Sequence, residues 1–511
     1  MERIHKKGVL AESSALILAA HDAGAELLWD RYEQQLPLCA FTSNGLNCRK
    51  CFQGPCRINP FGDEPARGIC GADRDQIVME NLFQATLEGV LESARAAALL
   101  GVGDAEQELP DLGPTLSSAA SVRLSKTGIL PVRKADLFAV QNSYFSHKGY
   151  LAPTLRDLTR LGLIHLGFLA QAASAARRSE ASPFSPDGVN LLILGHASSE
   201  LRQALAGLAA QRSGEKRINL VAQAAAVDHG SPELTLGMNV DALLVCPDAA
   251  WPGAETLAKR YGIPVLIADA EKSAGQVAAE AIDQACRHAQ TAARGAASRL
   301  AAMPDVGRPA ILDLEQALRS AFTSGRLTGV VVLVGEANVK QSFFERTLAS
   351  MEAALAARAL VLVGGGLAPE TAVLAAEVER RKPSLSAFAA ELEKDGLQPV
   401  SSFGSLLEIP RLASVLNRLT DGAGGGLPVV VGFPEFFRAS TWAGAVSFLA
   451  LGFPVQIGIR LPFWGSPSLV EAITSEWPKI TGGRLLATPA LPEPAAQAEE
   501  LVGLLKTPRP A

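Results

Sequence analysis

The run VNLLILG (189–195), SELRQALAGLAAQR (199–212), INLVAQ (218–223) places a short strand, a helix and a second short strand in direct succession. Both strands are apolar on both faces, as in parallel sheets covered by helices on either side. VDALLVCP (240–247) and IPVLIAD (263–269) continue the series, with GAETLAKRYG (253–262) as an intervening helix. A second series follows: LTGVVVLVG (327–335), ALVLVGGG (359–366), LPVVVGFPE (427–435), PVQIGIRLP (454–462) and GRLLATP (483–489). The fold class is therefore α/β, with two doubly wound, Rossmann-like parts. Upstream the pattern turns helical: residues 76–100 and 154–178 both carry apolar side chains at helical spacing. ASPFSPDG (181–188) and AAMPDVGRPA (301–310) read as linkers. These breaks predict a helical domain over 1–186 and Rossmann-like domains over 187–305 and 306–511. No GxGxxG follows a first strand, and a tight strand-to-helix turn accounts for VGGGLAPET (363–371) as well as a nucleotide would.

Composition narrows the function. Of 511 residues, 48% are hydrophobic and 19% charged, which describes an ordered globular chain. A net charge of −5 without a basic tract argues against nucleic acid as a partner. The opening MERIHKKGVLAESSALILAAHD (1–22) reads as an amphipathic helix and not as a signal peptide, because Glu12 and two serines interrupt its apolar stretch. AGAVSFLALGFPVQIGI (443–459) is broken by glycine and proline, so it reads as buried helix then strand, not as a membrane span. A soluble, cytoplasmic protein is expected, where thiols stay reduced and can hold metal.

Five of the seven cysteines fall early, in Cys39 and in NCRKCFQGPCRINPFGDEPARGICGAD (47–73). The four within that stretch, Cys48, Cys51, Cys56 and Cys70, are spaced Cys-x2-Cys-x4-Cys-x13-Cys. Soft ligands this close in a reduced chain point to a metal site. A 4Fe-4S cluster needs four thiolates converging from a loop with backbone amides to spare, and Gly54, Gly68 and Gly71 supply that freedom. Structural zinc also uses four cysteines, usually as two CxxC pairs, and is the competing reading. Cys246 ends a strand and Cys286 lies on a helix with His288; packing explains both.

CFQGPCRINPFG (51–62) followed by GICGADRDQIVMENL (68–82) resembles the segment that binds the electron-transfer cubane in anaerobic nickel–iron carbon monoxide dehydrogenases, within the prismane superfamily. GHASSE (195–200), VDALLVCPDAAWP (240–252), GVVVLVGEANVK (329–340), VLVGGGLAPET (361–371), VSSFGSLLEIPR (400–411), FPEFFRAS (433–440) and residues 461–487 extend the resemblance, in order, over nearly the whole chain. It implies a cubane on Cys48, Cys51, Cys56 and Cys70. It also implies a nickel–iron–sulfur site held by one histidine and several cysteines downstream.

The second site is where this chain departs. The resemblance places the histidine at His196, but the thiolate positions fall within Gln223 to Ala226 and at Ala249, Glu336, Gly366 and Leu406, and a lysine position falls at Ser440. Cys246 stands three residues before Ala249. Alanine, glycine and leucine offer no donor, so no intact nickel–iron–sulfur cluster is expected, nor CO oxidation to CO2 with ferredoxin as acceptor. The resemblance also implies a cluster shared across a homodimer axis, with one of its cysteines at Cys39 and the other replaced by Asn47. A shared cluster would then need further ligands, and the alternative is a buried or disulfide-capable cysteine at a dimer interface. The leading expectation is a carbon monoxide dehydrogenase-like protein acting in electron relay, as a homodimer or paired with a catalytic redox subunit, and exchanging electrons with a ferredoxin-like carrier. The alternative is an oxidoreductase whose remodelled crevice, lined by His196, Glu336 and Cys246, draws electrons from the cubane. A zinc-stabilised scaffold is the third reading.

Overall fold

A computed structural model describes residues 7–10, 17, 27–61, 64–99, 108–145, 151–176, 188–195, 197–212, 217–222, 240–246, 258–259, 262–269, 271–291, 315–420, 426–488 and 492–506. Their strands, in chain order, are β1 (Asn47–Cys48), β2 (Cys56–Arg57), β3 (Val189–Leu194), β4 (Ile218–Ala222), β5 (Ala242–Val245), β6 (Val265–Ile267), β7 (Gly329–Gly335), β8 (Ala359–Gly365), β9 (Val400–Gly404), β10 (Val429–Phe433), β11 (Val455–Ile457) and β12 (Leu485–Leu486). The chain divides into two compact units. One comprises Met1–Ala94, Ala105–Gln171 and Arg308–Ala511, the other Arg95–Asp104 and Ala172–Gly307.

In the second unit, β3 to β6 form a parallel sheet in the order β4-β3-β5-β6. Every residue of β3 is buried, because both faces are covered. Leu191, Ile193, Ala242 and Leu244 pack on one face against Leu201 and Leu205 of the helix Ser199–Arg212 and Val277 and Ile282 of the helix Ala274–Thr291. Leu192, Leu194 and Leu243 fill the other face with Ala258 and Ile263. The double-sided apolar pattern of 189–195 is explained by this pair of layers.

In the first unit six parallel strands run in the order β12-β11-β10-β7-β8-β9. The helices Glu345–Ala356, Thr371–Arg381, Ile409–Thr420 and Ala439–Ala450 make the crossovers. The chain winds outward from β7 to β9, then returns to lay β10 on the other side of β7, so the strand order reverses between β7 and β10. In doubly wound sheets ligands bind at such a reversal, beyond the strand carboxyl ends. The stretch 443–459 is, as expected, a buried helix followed by β11. This unit also holds the early helical segment and the β1–β2 hairpin. The helix Arg74–Leu99 meets the helix Ala439–Ala450 so closely that a Cβ added at Gly89 would lie 2.1 Å from the Ala439 carbonyl oxygen. Among the described residues no helix is long and apolar enough to cross a membrane. The linkers at 181–187 and 301–310 and most of 1–22 lie outside the described residues.

Candidate metal centre

The stretch 47–73 folds back on itself. β1 and β2 pair antiparallel, with Asn47 opposite Arg57 and Cys48 opposite Cys56. Two of the four thiols are therefore spaced by a backbone ladder. The turn between the strands carries Cys51, whose carbonyl accepts the Gly54 N–H at 3.2 Å. Around Cys70 the Gly68 N–H donates to the Ala72 carbonyl at 2.8 Å and the Gly71 N–H to the Gly68 carbonyl at 2.9 Å. Gly71 has φ +87°, a left-handed conformation that glycine adopts without steric cost. Asp73 then caps the helix Arg74–Leu99: its Oδ1 accepts the Gln76 N–H at 3.0 Å, and its own N–H donates to Gln76 Oε1 at 3.0 Å.

Cys48, Cys51, Cys56 and Cys70 line one cavity of about 510 Å³, with Gln76, Ile77 and Glu80 from the start of that helix and Lys50 from the loop as further walls. Two backbone amides aim at sulfur, Lys50 N–H at Cys48 Sγ and Ile69 N–H at Cys56 Sγ, each at 3.5 Å. Burial pushes the Cys48 thiol up, the Lys50 amide works against this, and Glu80, Cys56 and Cys70 add to the rise. Asn81 Nδ2 donates to the Gly45 and Asn47 carbonyls, both at 2.8 Å, and so ties the hairpin to the helix. Lys50 Nζ meets Glu80 Oε1 at 2.7 Å. Phe52, Phe61 and Ile69, from the same loop, stand exposed.

The donor set suits a soft metal. Among the described residues no three His, Cys, Asp or Glu side chains are grouped closely enough to hold a single metal ion. The four thiols line one cavity, and backbone amides are directed at two of them, a donor set that either an iron–sulfur cluster or a zinc ion could use. Cys39 lies apart from this wall: its carbonyl accepts the Ser43 N–H at 2.9 Å, and its exposed thiol is lowered chiefly by a hydrogen bond with Thr42.

Three of the positions where thiolates were expected downstream, Glu336, Gly366 and Leu406, lie at the carboxyl ends of β7, β8 and β9. A Cβ at Gly366 would lie 2.8 Å from Glu336 Cβ, and one at Gly365 would lie 3.2 Å from Leu406 Cδ2. Glu336 is buried, and Oε1 accepts the Arg438 N–H at 3.1 Å. The Thr441 hydroxyl lies 3.1 Å and 2.9 Å from its two oxygens. Burial raises its carboxyl, with Arg438 and Thr441 opposing. The Glu336 N–H donates to the Glu435 carbonyl at 3.0 Å, so both residues sit at the strand-order reversal. The Ser440 N–H donates to Glu92 Oε2 at 3.0 Å.

His196, Gln223 to Ala226 and Ala249 lie outside the described residues. Cys246 packs in the core of the unit built on β3 to β6, with 1% of its surface exposed. Cys286 packs against the same core, and burial raises its thiol. Lys50, Glu80 and Asn81 were not recognisable as a group from their sequence positions. The available signal was Glu80 and Asn81 inside an otherwise apolar stripe beginning Ile77, Val78, Met79.

Comparison with known proteins places these observations. A family model described as the Prismane/CO dehydrogenase family matches residues 46–109 and 240–491, more than half of the chain. Carbon monoxide dehydrogenase 1 of Carboxydothermus hydrogenoformans is 24% identical across 96% of each chain. Carbon monoxide dehydrogenase 1 of Methanosarcina acetivorans is 45% identical over 97 residues, 18% of this chain and 15% of that protein. Two solved structures share the fold. A chain of an acetyl-CoA synthase/carbon monoxide dehydrogenase has TM-score 0.75 and 18% identity, over 98% of this chain and 93% of that one. A nickel-free carbon monoxide dehydrogenase from Thermococcus sp. AM4 has TM-score 0.71 and 20% identity, over 98% and 97%.

Proposed function

The chain belongs to the Prismane/CO dehydrogenase family, and from that premise we propose that it is an iron–sulfur protein that keeps an electron-transfer cluster and has given up the nickel-bearing one. Cys48, Cys51, Cys56 and Cys70 would hold a 4Fe-4S cluster, which when bound supplies a one-electron carrier. The observation that carries this reading is the contrast between two places. Four cysteines line one cavity, whereas Glu336, Gly366 and Leu406 stand where the family resemblance calls for thiolates. The chain's own residues would do the rest. The β1–β2 ladder spaces two thiols, the Lys50 and Ile69 amides stabilise sulfur charge, and the Asp73–Gln76 cap fixes the loop's exit.

The role would be electron relay, within a homodimer or a larger redox complex and with a ferredoxin-like carrier. The exposed Phe52, Phe61 and Ile69 beside the cysteines support a partner on that face. Anaerobic reconstitution with iron and sulfide should give about four irons per chain, a visible absorption band and no retained nickel. Stoichiometric nickel or CO oxidation would overturn the reading, and a colourless zinc protein would replace it with a structural one. Turnover of another substrate in a remodelled crevice would call on Glu336, whose carboxylate accepts from Thr441 and the Arg438 amide. Reductant-dependent activity that is lost in Glu336→Gln would favour that alternative.

A further inference from the structure

The cavity wall beside the four thiols carries a basic and an acidic side chain, Lys50 and Glu80. Their ends meet at 2.7 Å, and the side chains keep only 20% and 7% of their exposure. Taking such a pair out of water costs desolvation energy that its attraction repays poorly, and an apolar pair of similar size is often as stable. Its place on a wall of thiols points to an electrostatic role there. Lys50 also lies between Cys48 and Cys51 in the chain, and its amide donates to Cys48 Sγ at 3.5 Å. Lys50 thus meets the site twice, through its ammonium on Glu80 and through its amide on Cys48 Sγ.

We propose that Lys50 and Glu80 are positioning residues that set the midpoint potential of the cluster held by Cys48, Cys51, Cys56 and Cys70. Lys50 favours the reduced cluster, while Glu80 opposes it and holds Lys50 in place. This rests on the iron–sulfur reading above. Reduction adds one electron, and so one negative charge, with no bond made or broken; the electron comes from an external reductant such as dithionite. A nearby positive charge lowers the energy of the reduced form and a negative charge raises it.

The test uses the full chain, reconstituted anaerobically, with the potential read by a mediated dithionite titration followed by absorption and electron paramagnetic resonance. Glu80→Gln should move the potential positive, Lys50→Met should move it negative, and the double variant should return towards wild type. Shifts of one sign, or no shift, would overturn the assignment. If the neutral variants fail to retain iron, Glu80→Asp and Lys50→Arg decide. Both keep the charge and should keep the wild-type potential, and a substantial shift in either would count against the proposal. A wild-type chain that takes no iron–sulfur cluster overturns the functional reading and this inference together. A normal wild-type cluster with unsplit variants overturns this inference alone.

Discussion

Replacing Asn81 by alanine should loosen the cysteine hairpin without unfolding the chain. Asn81 Nδ2 donates to two carbonyls at 2.8 Å, those of Gly45 and Asn47, on either side of the buried Leu46. Each such bond contributes about 1 kcal/mol net, so opening the hairpin should become easier by about 2 kcal/mol. Alanine is a better helix former than asparagine by about 0.6 kcal/mol, which offsets part of the loss and leaves global stability lower by about 1.5 kcal/mol. At 1.36 kcal/mol per tenfold, a local loss of about 2 kcal/mol raises the opening equilibrium constant about thirty-fold. Native-state hydrogen exchange can resolve this. The Ile58 amide, bonded to the Leu46 carbonyl at 2.9 Å, and the Leu46 amide, bonded to the Phe41 carbonyl at 2.8 Å, should exchange faster by that factor. The Val330 and Val361 amides of the large sheet should follow only the global change. Asn81→Asp should act more strongly, since it sets a carboxylate against two carbonyl oxygens. Wild-type exchange in the hairpin, or one factor shared by every amide, would refute the argument.

Gly89→Ala should lower the melting temperature, because the added Cβ would lie 2.1 Å from a backbone oxygen that cannot give way. Gly207→Ala, on a helix with open space around it, should raise stability by up to about 1 kcal/mol. Burial pushes the Glu435 carboxyl up to about 7, against the Phe344, Thr347 and Arg346 amides that lower it. Its folded pKa thus lies above the unfolded one, so the stability it confers is complete below about pH 4.5 and is lost as pH rises through about 7. Urea denaturation across pH 5 to 8 should show wild type falling relative to Glu435→Gln by up to about 3 kcal/mol. A pH-independent difference would contradict this. Cys246→Ser should leave iron content unchanged while costing about 1–2 kcal/mol for a hydroxyl placed in an apolar core, whereas Cys56→Ser should lower the iron bound per chain.

The parts of this structure governed by local periodicity were legible. Apolar spacing over 76–100 and 154–178 anticipates the helices Arg74–Leu99 and Leu151–Ala176. Short double-sided apolar runs anticipate β3, β5, β7, β8 and β10. The order β12-β11-β10-β7-β8-β9 was not legible, because it depends on which faces meet after long crossovers. The β1–β2 hairpin escaped as well, since two residues per strand leave no alternation to detect. Spacing alone singled out the four cysteines that line one cavity. Their surroundings were not legible: Lys50 and Glu80 are thirty residues apart and meet only because a loop packs on a helix start. Glu336 could be picked out as an acid at a strand tip, yet its satisfaction by Thr441 depends on a helix that begins about a hundred positions later.

Cys48 facing Cys56 across the β1–β2 ladder also decides how the metal-free chain should age in air. Antiparallel partners lie about 4.5–5.5 Å apart at Cα, inside the about 4.4–6.8 Å that a disulfide spans. The same pairing therefore brings Cys48 and Cys56 within reach of closing on each other. Oxidised protein should yield a Cys48–Cys56 linked peptide by mass mapping and resist iron loading until a thiol reductant opens it. Oxidation distributed over other cysteine pairs would contradict this. Metal loading and disulfide closure would then compete for the same two sulfurs, and the oxygen history of a preparation would decide how much of it can take metal.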